Sequence, residues 1–245
     1  MFFSIATIEY HSHVVPQRPW NLIDVSRIIL VWMACLFVGA IIIQSFPGIP
    51  NTAILLVNIC TFHISALIIL NYWLHSIGVT WEEAFGLRTG FNLKTLAAAA
   101  FAALCVIPIS IAVIFVCEML ITHFGLEPKL QDPVLALAKS EHWHDIAIMG
   151  VMACVLAPIV EELIFRGLIY QTIKQSGYKR SALWASSILF AAFHSNLMTF
   201  IPLTLLAILF ALLYETSGTI VMPIAVHSLF NLFNFGMILV AKSQN

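Results

Sequence analysis

The chain has little charge. Only 9% of its 245 residues are Asp, Glu, Lys or Arg, and the formal net charge is -1. A nucleic-acid partner needs a basic stripe to follow the phosphate backbone, and no Lys/Arg cluster exists to supply one, so that class is set aside. Cysteine is sparse and unpatterned. Cys35, Cys60, Cys105, Cys117 and Cys154 lie in apolar runs without CxxC spacing, and an odd count cannot pair completely; they read as small buried residues. The first twenty residues include Glu9, His11, His13, Pro16 and Pro19 and no apolar stretch ending in small residues, so no signal peptide is expected. The pair His11 and His13 could bind a transition metal, but a disordered polar terminus is the better reading. The last residues, Lys-Ser-Gln-Asn, are not a prenylation box. There is no HExxH pair, no internal repeat and no low-complexity tract.

What remains is apolar length. Hydrophobic residues make up 61% of the chain and the mean hydropathy is +0.98, far beyond the balance of a soluble domain. A span needs about 20 mostly apolar residues, and seven runs qualify, beginning near Asp24, Thr52, Thr95, His144, Ser181, Leu197 and Thr219. The fold class expected is all-α, a polytopic transmembrane helix bundle of about seven (six to eight) spans. The stretch from Thr80 to Lys94 mixes Trp and Phe with Glu, Arg and Lys and suits the headgroup layer. The segment from Phe124 to Trp143 is the longest polar connection. Lys and Arg accumulate on cytoplasmic sides; Arg18, Arg27, Arg88, Lys94, Lys174, Lys179 and Arg180 share one side, against Lys129, Lys139 and Lys242. The amino terminus is therefore expected in the cytoplasm.

Three charges stand in the fourth run, in Pro158-Ile-Val-Glu161-Glu162-Leu-Ile-Phe-Arg166-Gly167. Each costs about 2.5 to 3.5 kcal/mol at a span's centre, so partners are required. Straight-helix depths at 1.5 Å per residue put Glu161, His194 and His227 roughly 18, 20 and 14 Å from the inner ends of their spans. One layer thus holds all three. Spacing then divides the charges. Glu162 and Arg166 are four apart and can neutralise each other, which leaves Glu161 on another face. Phe190 and His194 have the same spacing, as do His227 and Asn231. Pro158 and Pro223 each remove a backbone donor near these groups, hinting at a wet cavity. Asn58, His63, Asn71 and His75 have no partners in the late spans and are expected to be interhelical hydrogen bonds or interfacial residues.

The ordered set Glu161-Glu162-xxx-Arg166, Phe190-xxx-His194 and His227-xxx-Asn231 resembles the CPBP intramembrane glutamic proteases, the family of CAAX proteases and bacteriocin-processing enzymes also called Abi. It covers about Gly150 to Asn234, and family members often have eight spans. The resemblance implies a membrane endopeptidase in which Glu161 and His194 activate water while His227 and Asn231 stabilise the oxyanion, with Glu162, Arg166 and Phe190 in support. Its substrate would be a peptide or a prenylated CaaX-type protein, or a leader peptide awaiting removal. The domain reading is a cytoplasmic segment at 1–23 and a single transmembrane domain at 24–245, with the catalytic core at about 144–241. Such a chain is a multi-pass membrane protein, of the inner membrane if bacterial.

No cofactor is expected, although Glu161, His194 and His227 could together make a zinc site with an open position. Against zinc stand the lack of HExxH and the want of a role for Asn231. Two rival functions come from other classes. A proton- or ion-coupled transporter would use the same buried groups as a relay, but should show repeated halves with broken helices; a noncatalytic immunity or scaffold protein would share the fold.

Overall fold

The computed structural model describes residues 17–87 and 92–244; the His11 and His13 pair lies outside them. Among the described residues the regular structure is helical, and six helices are long and apolar enough to cross a membrane. They are α1 (Leu22–Ser45), α2 (Asn51–Ser76), α4 (Leu93–His123), α6 (Trp143–Gln175), α8 (Leu197–Ser217) and α9 (Val221–Ser243). Shorter helices are α3 (Trp81–Phe85), α5 (Asp132–Lys139) and α7 (Lys179–Phe193). The chain is an integral, multi-pass, all-α membrane protein.

The run expected as a fifth span is α7, only 15 residues long. At 1.5 Å per residue it reaches about 22 Å, short of a hydrocarbon layer of about 30 Å. Its end is built by a sharp reversal. Ser195 adopts φ 49, and Asn196 caps the start of α8 by accepting from the Thr199 N–H at 3.0 Å. The connection from 124 to 142 reaches this turn: the Lys129 carbonyl accepts from Asn196 Nδ2 at 2.8 Å, and Gln131 Nε2 donates to Thr199 at 2.9 Å. That connection also contains α5, a helix the sequence reading passed over. Its buried Leu137 and the Lys242 ammonium, which donates to the carbonyls of Leu137 and Ser140, dock it on the end of α9.

Small residues set the close contacts. Ala99 and Ala103 of α4 are buried in one cluster with Leu206, Phe210, Met222 and Val226 of α8 and α9. A second cluster joins Trp32, Ala66, Val160, Ile164, Phe165, Phe190 and Ala207, so α6 and α7 lie between the α1–α2 pair and the α4–α8–α9 group. α3 is tied into this body. Thr80 and Glu83 form a capping box at its start; the Phe85 carbonyl accepts from the Ile220 N–H at 3.1 Å. Phe85 fills the space a side chain at Gly167 would take, since a Cβ there would stand 2.6 Å from its ring.

The cysteines depart from expectation. Cys117 is buried, whereas Cys60 and Cys105 are exposed on the outside of the bundle. In a lipid solvent an apolar side chain gains nothing by turning inward, so apolar surroundings in sequence do not imply burial.

Candidate active site

Glu162 and Arg166 sit on one face of α6, as their spacing requires. Arg166 Nη1 donates to Glu162 Oε1 at 2.8 Å, with both side chains almost fully buried. The guanidinium is held on three further sides. Nη2 donates to the Ala207 carbonyl at 3.1 Å, and the cation lies 4.6 Å from the Phe190 ring centre and 5.1 Å from that of Phe210. An ion pair at this depth needs such neighbours, because removing two charges from water costs more than their attraction returns unless the remaining polar atoms are satisfied.

Glu162 does a second thing that spacing did not reveal. Its Oε1 also accepts from His227 Nδ1 at 2.9 Å, so one carboxylate oxygen joins α6 to α9. Phe210 stacks on the same imidazole, with centres 4.8 Å apart and planes at 25°. With Nδ1 donating to Glu162 and one face covered, the opposite nitrogen, Nε2, is aimed at Glu161 Oε2, 3.9 Å away. That oxygen is buried and has no hydrogen-bond partner. Buried polar atoms left alone are uncommon and expensive; Glu162 Oε2 is another, but it is Glu161 Oε2, on the carboxylate the spacing argument set apart, that faces His227 Nε2.

His194 is the C-cap of α7. Its Nδ1 is 2.9 Å from the Phe190 carbonyl; a carbonyl can only accept, so Nδ1 carries the proton and Nε2 keeps its lone pair. The Phe190 ring lies 4.9 Å from His194 and 5.9 Å from His227. His194 thus joins the cluster through Phe190 rather than by a hydrogen bond to Glu161.

Asn231, one turn beyond His227, donates from Nδ2 to the Ala153 carbonyl at 2.8 Å. The reason lies in α6. Residues Met152–Leu156 form a wider π turn, in which the Ala157 N–H reaches back five residues to Met152. Pro158, next in line, has no N–H to offer Ala153. Asn231 takes that carbonyl, which ties α9 to α6 again and leaves its second amide hydrogen unassigned. Pro158 therefore does break the ladder beside Glu161. Pro223 does not: α9 begins at Val221, so Pro223 lies in the first turn, where backbone donors have no intrahelical partner anyway.

The structure brings Glu161, Glu162, Arg166, Phe190, His227 and Asn231 into one connected set, with His194 against Phe190. The sequence reading missed Phe210, the Ala207 and Ala153 carbonyls, and Phe85 beneath Gly167. Only Pro158 signalled any of them. Among the described residues no group of three or more His, Cys, Asp or Glu side chains comes together to hold an ion; His194 and His227 each use Nδ1 in a hydrogen bond and keep Nε2 for another partner.

Comparison with known proteins falls on this same region. Residues 143–233 match the family described as type II CAAX prenyl endopeptidase Rce1-like. A Bacillus subtilis (strain 168) protein named "Putative membrane peptidase YdiL" is 30% identical over 88 residues, which span 36% of this chain and 36% of that protein. No solved structure matches the chain. The match takes in α6 through most of α9, with every residue of the connected set, and over this region the chain is similar to the Rce1-like group of CPBP membrane proteases.

Proposed function

We propose that this protein is an intramembrane endopeptidase that hydrolyses a peptide bond in a membrane-associated substrate, with water activated by Glu161. The observation that carries the reading is the partnerless Glu161 Oε2 facing His227 Nε2 at 3.9 Å. Two atoms that far apart can each stand about 2.8 Å from one shared water oxygen. Glu162 is neutralised by Arg166 and orients His227, so Glu161 is the carboxylate left to take a proton.

In the proposed reaction Glu161 removes a proton from the water as its oxygen adds to the scissile carbonyl carbon. The developing oxyanion accepts from His227 Nε2–H and from the second amide hydrogen of Asn231. His227 must be imidazolium for this, since Nδ1–H already serves Glu162. His194, with its Nε2 lone pair free of the Phe190 bond, holds the second hydrogen of the water. The proton on Glu161 then passes to the leaving nitrogen as the C–N bond breaks, giving an acid and an amine. No metal enters these steps. A CaaX-type prenylated protein, in keeping with the family description, or a leader peptide would suit a site inside the bilayer.

The test uses purified protein in detergent with a fluorogenic peptide library and prenylated CaaX peptides. The wild type is expected to cut, Asn231→Ala to lose about 100- to 1000-fold in kcat as one oxyanion donor goes, and a chelator to change nothing. Loss of cleavage on chelation with recovery on added zinc would replace the glutamate mechanism by a metal one. An ion gradient that drives solute uptake into vesicles, with no peptide cut, would make the protein a transporter.

A further inference from the structure

His63 is buried, and its Nδ1 has no hydrogen-bond partner, where an interhelical hydrogen bond or an interfacial place is expected of it. Asn71, expected to behave alike, does find a partner in Trp81 Nε1 at 2.9 Å. The position of His63 relative to Glu161 follows from how α2 and α6 pair. Both run from the face carrying residues 124–142 towards the opposite face, and Thr52 hydrogen-bonds Asp145, an offset of 93 residues. The same offset carries the π turn Ile59–Ile64 of α2 onto Met152–Leu156 of α6. Two parallel spans therefore widen at one depth. Each wide turn gives up a carbonyl to a side chain of a neighbouring helix: Phe62 to Trp32 Nε1 at 2.9 Å, and Ala153 to Asn231.

By that offset His63 is level with Leu156, five residues or about 7 Å short of Glu161 along the axis. It also faces inward. His63, Ala66, Leu70 and Leu74 form the buried stripe of α2, and Ala66 shares a cluster with Val160, Ile164 and Phe190. Beside it, the Phe62 ring lies 4.7 Å from the His63 ring and 5.8 Å from that of Phe193, the residue before His194. His63 thus stands on the wall of the proposed site, one turn beyond the reacting groups.

We propose that His63 is a substrate-binding residue, whose imidazole hydrogen-bonds the peptide backbone about two residues from the scissile bond, towards the 124–142 face. The spacing follows from an extended peptide advancing about 3.3 Å per residue. This rests on the peptidase reading and adds a backbone contact to it. A bond of this kind holds substrate and transition state alike, so its loss raises KM and spares kcat.

Kinetics of His63→Phe and His63→Gln against wild type test this, using peptides N-methylated at successive positions. His63→Phe is expected to raise KM about two- to tenfold with kcat unchanged, and His63→Gln to restore part of the loss. One N-methyl position should weaken wild-type binding yet leave His63→Phe indifferent. Equal sensitivity of the two proteins at every position, or a fall in kcat with KM unchanged, would overturn the proposal. A binding arm separates it from the peptidase reading: fluorophore-labelled apolar decapeptides are titrated into Glu161→Gln and into Glu161→Gln/His63→Phe. Weaker binding by the double variant supports His63 even if the wild type cuts nothing, and equal affinity or no binding refutes it.

Discussion

Arg166 meets Glu162, the Ala207 carbonyl and two aromatic faces at once. Removing it leaves the buried Glu162 carboxylate without its cation. Arg166→Met is therefore expected to lower stability by about 3 to 5 kcal/mol, and the double variant Glu162→Gln/Arg166→Met to recover much of that, because an uncharged pair leaves no charge unpaired. Thermal unfolding in detergent measures both, and an equal loss in single and double variants would refute the ion-pair account. Spacing alone made the Glu162–Arg166 and Phe190–His194 contacts legible. It could not show that Glu162 holds His227, since that bond depends on how α6 and α9 meet, nor pick Phe210 from among 18 phenylalanines.

At the scale of elements, α3 shows how a five-residue helix supports the site. Phe85 presses on Gly167 next to Arg166, so Gly167→Ala should cost about 1 to 3 kcal/mol through overpacking, and Phe85→Leu in the same chain should relieve it. Unfolding midpoints of the single and double variants check this. The helix is also expected to be acid-sensitive. The Thr80 N–H and hydroxyl bond the Glu83 carboxylate at 2.9 and 2.8 Å and hold its pKa below the usual 4.5. A depressed carboxylate stabilises the fold above its unfolded value and ceases to as pH falls through the folded one. Amide exchange in α3 should thus quicken below about pH 4.5, and Glu83→Gln should remove that dependence. The π turns of α2 and α6 were not readable in advance, as their residues are ordinary apolar ones; only Pro158 marked a break.

For the whole molecule, the apolar runs gave away the bundle and most helix ends to within a few residues. They counted α7 as a span although its apolar run is visibly short, and hid α5 within a polar connection. Orientation is still an expectation from the basic residues. Lys174 of α6 and Glu215 of α8 pair at one end of the bundle, the end near Tyr178 and its neighbours Lys179 and Arg180. In a cysteine-free background, Tyr178→Cys should react with an impermeant maleimide only from the cytoplasmic side, and Glu127→Cys only from the other; the reverse pattern would invert the topology.

The central claim is that Glu161 is the group that activates water. Its most direct test is single-turnover cleavage of one fluorogenic peptide by wild type and by Glu161→Gln, each with matched folding by thermal melt. Loss of the proton acceptor is expected to slow the chemical step by at least about 100-fold, with peptide binding retained. Cleavage by Glu161→Gln at a rate near that of wild type would contradict the account.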